Sequence, residues 1–243
     1  DELLLNVNAV SFEDVVCQTA IQTEEDKEEY CSRGYNIQLT QREFEEKFNG
    51  IDPTCIYYTP SISMNCFYFN KETLAAAPFH IDFFIAGVGS FTPEGAKRVF
   101  AQVEAEVAEH KYMSSVLALA DGMRLEYFKK LIEKKGANIP NLYQTFFDFY
   151  TQSDYGFNNI DPTTLQAILN SKTPQEKAKT TKQLKDLPDT ITIYRGGNTN
   201  STPYANAYSW TLDVNIANFF AVRRGKGPGY IVTAEVDKKD IIE

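Results

Sequence analysis

The stretches TITIYRGG (190–197), YSWTLD (208–213), ANFFAVR (217–223) and YIVTAEV (230–236) decide how the C-terminal part of the chain folds. Residues 190–194 alternate apolar and hydroxyl side chains, the period-two pattern of a half-buried strand. Residues 230–236 repeat it: Tyr230, Val232, Ala234 and Val236 alternate with Ile231, Thr233 and Glu235. A further strand is expected over 207–212. Asp213 then caps a helix on which Val214, Ala217, Phe220 and Ala221 share one face. A polar loop, 196–205, follows the first strand, and a Gly-rich turn, 224–229, precedes the last.

Upstream, a Lys-rich segment (172–185) leads into the turn Leu187-Pro188-Asp189. Asp161 caps a short helix begun by Pro162. Residues 141–157 gather Tyr143, Phe146, Phe147, Phe149, Tyr150, Tyr155 and Phe157. At helical spacing such rings are expected in a core rather than along a ligand groove. Thr92 and Pro93 start a helix that runs to about His110 with Val99, Val103 and Val107 on one stripe. Another helix is expected over 114–135, ended by Gly136. Gly87 and Gly89 belong to no phosphate-loop pattern and read as a plain turn. The first part is mixed. The charge run 24–30 is a solvated face, 39–48 is a helix capped by Thr40 with Phe44 and Phe48 on one side, and 55–58 and 66–69 are aromatic-rich strands. The expectation is an α+β protein with a mixed α/β segment (1–85), a helical lobe (86–189) and a β-core (190–243). The last is either continuous with 86–189 or separate from it.

The chain has 243 residues, 43% of them hydrophobic, enough to core one large domain or two small ones. A net charge of -9 and a pI near 4.9 repel phosphate backbones, which argues against nucleic acid as a general partner. The apolar runs 83–88 and 116–120 are far too short to span a membrane. Cys17, Cys31, Cys55 and Cys66 form no CxxC element, which argues against zinc. They fit either the disulfides of a secreted protein or partly buried thiols. His80 and His110 are too few for a His-rich metal site and are expected to be structural. Asp1 is not an initiator Met, so processing upstream is expected.

Three features then stand in order: Tyr194-Arg195-Gly196 at the end of a strand, Ser209-Trp210-Thr211, and a helix ending Phe219-Phe220-Ala221 before Arg223. Cleaving the nicotinamide–ribose bond of NAD calls for such a set. A guanidinium offers planar donors to the diphosphate, a glycine admits close approach to the backbone, and an aromatic ring stacks on the nicotinamide. Hydroxyls position the ribose, and a carboxylate stabilises the oxocarbenium-like transition state.

The order aromatic-Arg-Gly, Ser-x-Thr, A-x-x-F-A and strand resembles the Arg–Ser–Glu class of ADP-ribosyltransferases, which includes bacterial toxins and phage- or plasmid-borne effectors. The resemblance implies a C-terminal mixed β-sheet forming the family's core, NAD as substrate and a protein acceptor. Arg195 would hold phosphate and ribose, and Gly196 would lie against the nicotinamide amide. Ser209 and Thr211 match the outer hydroxyls of the family's Ser-Thr-Ser element, with Trp210 in place of its middle Thr. Phe219 or Phe220 would flank the nicotinamide, and Arg223 would assist with phosphate. Each has an ordinary reading as well: a surface ion pair for Arg195, plain strand residues for Ser209 and Thr211, core packing for the phenylalanines, and a helix-dipole partner for Arg223 or Arg224. The family's catalytic Glu lies on a later strand, two residues after Glu or Gln. Glu235 imitates it one strand too early, Glu243 lacks a visible partner, and the acid is expected downstream of residue 243. The alternatives are a non-catalytic interaction module on the same fold and an NAD glycohydrolase.

Overall fold

A computed structural model describes residues 10–60, 65–81, 92–153, 157, 160–199, 201–223 and 227–241. The run 83–88 with Gly87 and Gly89, and also Tyr155, Arg224 and Glu243, lie outside them. The chain divides into two units, Asp1–Lys172 and Thr173–Glu243, and both combine helix with strand, so the class is α+β.

In the first unit four short strands, β1 (Val16–Cys17), β2 (Ile56–Tyr58), β3 (Cys66–Phe69) and β4 (Ala76–Pro78), form an antiparallel sheet in sequence order. All four residues of β3 are buried, so both faces of this sheet are covered. Helix α1 (Glu24–Ser32) buries nothing, as its charge run predicts. Helix α2 (Gln41–Lys47) begins with a capping box: the Glu43 carboxylate accepts from Thr40 N at 2.8 Å while Thr40 Oγ1 accepts from Glu43 N at 3.4 Å. Phe44 and Phe48 turn inward together, ring centroids 4.8 Å apart.

Helix α3 (Pro93–Ala108) starts where Thr92 Oγ1 accepts from Gly95 N at 3.1 Å. Its inward stripe is Ala96, Phe100, Val103 and Val107, and Phe100 stacks on Tyr68 at 4.0 Å. Val103 and Val107 face inward as expected, but Val99 is 42% exposed and Phe100 takes its place on the stripe. The single helix expected over 114–135 is two, α4 (Met113–Ala118) and α5 (Arg124–Lys135), separated by a 3-10 turn at Asp121–Met123. Arg124 holds this corner: Nε donates to Val116 O at 3.1 Å and to Leu119 O at 3.3 Å, Nη1 donates to Gln152 O, and Asp121 lies 3.5 Å away. Gly136, at φ 57°, ends α5 as expected. Helix α6 (Leu142–Thr151) buries Tyr143, Phe146 and Phe149, and leaves Phe147 exposed.

Helix α7 (Pro162–Asn170) is capped by Asp161, whose carboxylate accepts from Thr163 N and Thr164 N at 3.0 Å and from Thr164 Oγ1 at 2.6 Å. The Thr164 hydroxyl, then the backbone donors, hold this carboxyl below its ordinary value of 3.8. A lowered pKa contributes stability that is complete above the unfolded-state value and is lost as pH falls through the folded one. Asp161→Asn, which keeps a capping side chain without the charge, should therefore flatten the fall in stability from about pH 5 to about pH 2. Denaturant titrations across that range check it, and parallel curves for the two proteins would refute it.

The second unit begins with α8 (Pro174–Leu184), opened by a Thr173–Glu176 capping box and without a buried residue. Strands β5 (Thr190–Gly197) and β6 (Tyr230–Asp237) pair antiparallel along all their length, from Thr190↔Asp237 to Gly197↔Tyr230. Lys238 closes the open end. Its N–H donates to Asp189 O at 2.7 Å, and its ammonium donates to Lys185 O at 3.2 Å and Leu187 O at 2.6 Å, carbonyls that follow α8. Helix α9 (Val214–Val222) lies on the hairpin, capped by Asp213, whose carboxylate accepts from Asn215 N at 2.8 Å.

Three expectations are corrected in this unit. Residues 207–212 are not a strand: only Thr211 bridges to Tyr194, through N–H···O distances of 2.8 and 2.9 Å. The chain before it is folded on itself, with a 3-10 turn at Tyr204–Asn206 and Trp210 Nε1 donating to Ala207 O at 3.1 Å. Every described pairing is antiparallel, so the sheet is not mixed. The face α9 buries is Ala217 and Ala221, while Val214 and Phe220 are exposed. Among the described residues no helix is long and apolar enough to cross a membrane.

Candidate functional site

The register of the hairpin assigns the motif residues to faces. Arg195 pairs with Val232 and Gly197 with Tyr230, and because side chains alternate these four share one face. Gly196, paired with Ile231, belongs to the other, and that face receives α9. A Cβ on Gly196 would lie 1.7 Å from Ala217 O and 2.7 Å from Ala221 N; one on Gly229 would lie 2.3 Å from Ala221 O. The close approach that Gly196 permits here is therefore that of a helix backbone. Gly197 has a different neighbour, the Tyr230 ring, 2.7 Å from where its Cβ would be.

Arg195 ties separate segments together. Nη1 donates to Ser209 O at 2.7 Å and Nη2 to Thr202 O at 3.4 Å. The loop it grips is closed by Asn198 and Ser201: Asn198 N donates to Ser201 Oγ and Ser201 N to Asn198 O, both at 3.0 Å. Asn198 Nδ2 in turn donates to Arg223 O at 3.2 Å, linking the loop to the end of α9. The structure thus joins Arg195 to Ser209 through the Ser209 carbonyl, whereas Thr211 bridges to Tyr194, and alternation turns its side chain, like that of Tyr194, to the other face from Arg195.

On the Val232 face an open depression of about 510 Å³ is lined by Asn198, Thr199, Ser201, Pro203, Tyr204, Tyr230 and Val232, and Arg195, Ser209 and Thr211 are not part of its lining. Tyr204 and Tyr230 offer it exposed rings. Sequence reasoning passed over both. The one available signal was non-local: Tyr230 is the cross-strand partner of Gly197, a glycine over which an aromatic ring can lie.

The remaining motif residues stand apart. Phe219 and Phe220 are 57% and 46% exposed, so neither occupies the core position that phenylalanines on a helix usually take. The Arg223 guanidinium covers their rings at 5.8 and 5.6 Å from the centroids. Their helix sits on the Gly196 face, opposite Arg195. Glu235 pairs with Thr192, three residues along the strand from Arg195, about 10 Å at the usual rise. It is exposed, and the alternation turns it to the other face from Arg195. By sequence, residues 173–243 carry more Lys and Arg than Asp and Glu, so the acidic excess of the chain lies in the first unit. Among the described residues no group of three or more His, Cys, Asp or Glu is placed to hold a metal ion.

Comparison of the chain with protein-family profiles, curated protein sequences and solved structures finds no match.

Proposed function

We propose that the second unit is the NAD-binding part of an ADP-ribosyltransferase-like protein of the Arg–Ser–Glu class, which transfers ADP-ribose from NAD to a protein acceptor. The observation that carries this reading is the Arg195–Ser209 contact, because it joins two separate motif stretches, with the open Tyr204–Tyr230 depression on the Arg195 face of the hairpin. In this reading the guanidinium of Arg195, pinned in place, faces the diphosphate. The Ser209 hydroxyl positions the nicotinamide ribose and an aromatic ring stacks on a base, while Thr211, bridged to Tyr194, serves by fixing the segment that carries Ser209. The carboxylate that stabilises the oxocarbenium ion is not Glu235, which the register turns away from Arg195. In the family that acid sits on a later strand.

Arg195→Ala should weaken NAD binding by about 1.5–3 kcal/mol, the scale of a hydrogen bond to a charged group, or roughly ten- to a hundredfold in Kd. Titration calorimetry on the two proteins measures it, and equal affinities would remove Arg195 from the site. Transfer of label from adenine-labelled NAD to a lysate tests the activity itself. Free ADP-ribose without a labelled acceptor would identify a glycohydrolase instead.

A second reading, an interaction module without catalysis, draws on the exposed apolar residues Ile216, Phe219, Phe220 and Val222 of α9. A folded chain that binds no NAD in the same titration would favour it.

A further inference from the structure

Two cysteines of the first unit lie at the β1–β2 pairing, Cys17 in β1 and Cys55 just before β2. Cys17 pairs with Tyr57 and Val16 with Tyr58, while Tyr58 pairs onward with Cys66. Side-chain alternation therefore sets Cys17 and Tyr57 on one face of the sheet, and Val16, Tyr58 and Cys66 on the other. Cys55 ends the 3-10 turn Pro53–Cys55, two residues before Tyr57. Cys17 Sγ is seated on that turn, 3.5 Å from Pro53 O and 3.6 Å from Thr54 O, and Thr54 Oγ1 is 3.9 Å from Cys55 Sγ. Both cysteines are partly buried thiols in this structure. Cys31 lies elsewhere, on the exposed helix α1, with its Sγ 3.4 Å from Ile37 O.

We propose that Cys17 and Cys55 are a redox-responsive pair that closes into a disulfide in the presence of a small-molecule disulfide oxidant, fastening β1 to the start of β2. The Cys17 thiolate attacks one sulfur of oxidised glutathione and expels a glutathione thiolate. The Cys55 thiolate then attacks Cys17 Sγ in the mixed disulfide and expels the second. The protein gives up two protons and two electrons, and one oxidised glutathione becomes two reduced molecules. Burial raises the Cys55 thiol above its usual range, so the second, intramolecular attack draws on proximity rather than on a large thiolate fraction. The inference concerns the first unit alone and stands apart from any reading of the NAD cleft.

The test treats the full, folded chain with excess oxidised glutathione, quenches it in acid, and counts thiols after denaturation. The reduced chain has four cysteines. Two should be lost, with the protein still monomeric on a non-reducing gel. Chymotryptic peptides, which separate Cys55 from Cys66 by cleavage after Tyr57 and Tyr58, should carry the 17–55 link by mass spectrometry. Cys17→Ser and Cys55→Ser should each lose that link, and Cys31→Ser should keep it. The oxidised wild type should unfold at a higher temperature than the reduced protein, and Cys17→Ser should show no such shift. A link through Cys31 or Cys66, glutathione adducts alone, crosslinked dimers alone, or four surviving thiols would each overturn the proposal.

Discussion

Gly196→Ala should destabilise the C-terminal unit by about 3 kcal/mol or more, the upper end of overpacking penalties. Its methyl group would lie 1.7 Å from a helix carbonyl oxygen, and backbone cannot swing aside as a side chain can. Relief requires α9 to lift from the hairpin, which exposes Ala217 and Ala221. Gly197→Ala should cost much less, because the atom in its way belongs to the rotatable ring of Tyr230. The protein has one tryptophan, Trp210, in this unit, so fluorescence during denaturant unfolding reports on it directly. Equal midpoints for wild type and Gly196→Ala would mean that the helix does not rest on the strand.

Arg124→Ala should cost the first unit about 3 kcal/mol, from the loss of charge-assisted hydrogen bonds at a side chain only 18% exposed. Three carbonyls, of Val116, Leu119 and Gln152, lose their shared donor, and these lie at the ends of α4 and α6 around the corner into α5. Asp121→Asn should cost far less, since that contact, at 3.5 Å, is one of several and partly solvated. Arg124→Lys should recover little, because an ammonium cannot donate along the guanidinium's several directions. Circular dichroism in denaturant, followed on the helical signal, measures all three, and an Arg124→Ala midpoint within error of wild type would remove this residue from the list of structural supports.

Local chemistry was legible in the sequence where one residue acts on its near neighbours. Thr40, Thr92, Asp161 and Asp213 all cap the helices expected of them, and Gly136 ends α5. The aromatic strands at 56–58 and 66–69 form within a residue of their expected bounds. Legibility ended where the deciding atoms lie on another segment. Val214 and Phe220 read as the inner face of α9, but Gly196 and Gly229 bring the hairpin so close that only the two alanines fit between. Residues 207–212 alternate like a strand, yet Trp210 hydrogen-bonds back to Ala207 and leaves a single bridge at Thr211. The helix expected over 114–135 ran straight through the Asp121–Gly122 break, because Arg124, which makes the corner stable, reads locally as one more helix former. Order in the sequence marked Arg195, Ser209 and Thr211, none of which lines the depression, whose Tyr204 and Tyr230 meet only through register and loop closure.

The clasp at Lys238 also determines how the second unit responds to force. Thr190 and Asp237 are cross-strand partners at the same end of the hairpin, so tension applied there pulls the two strands apart sideways. The rungs of such a ladder are loaded one after another, like a zipper, and never all at once as in shear. The first resistance a pull meets is the Lys238 grip on the Lys185, Leu187 and Asp189 carbonyls, and beyond it each rung yields singly. The unit is therefore mechanically weak along this axis whatever its thermodynamic stability, and a motor threading it from that end would open the sheet before it disturbed the seat of α9 at Gly196 and Gly229.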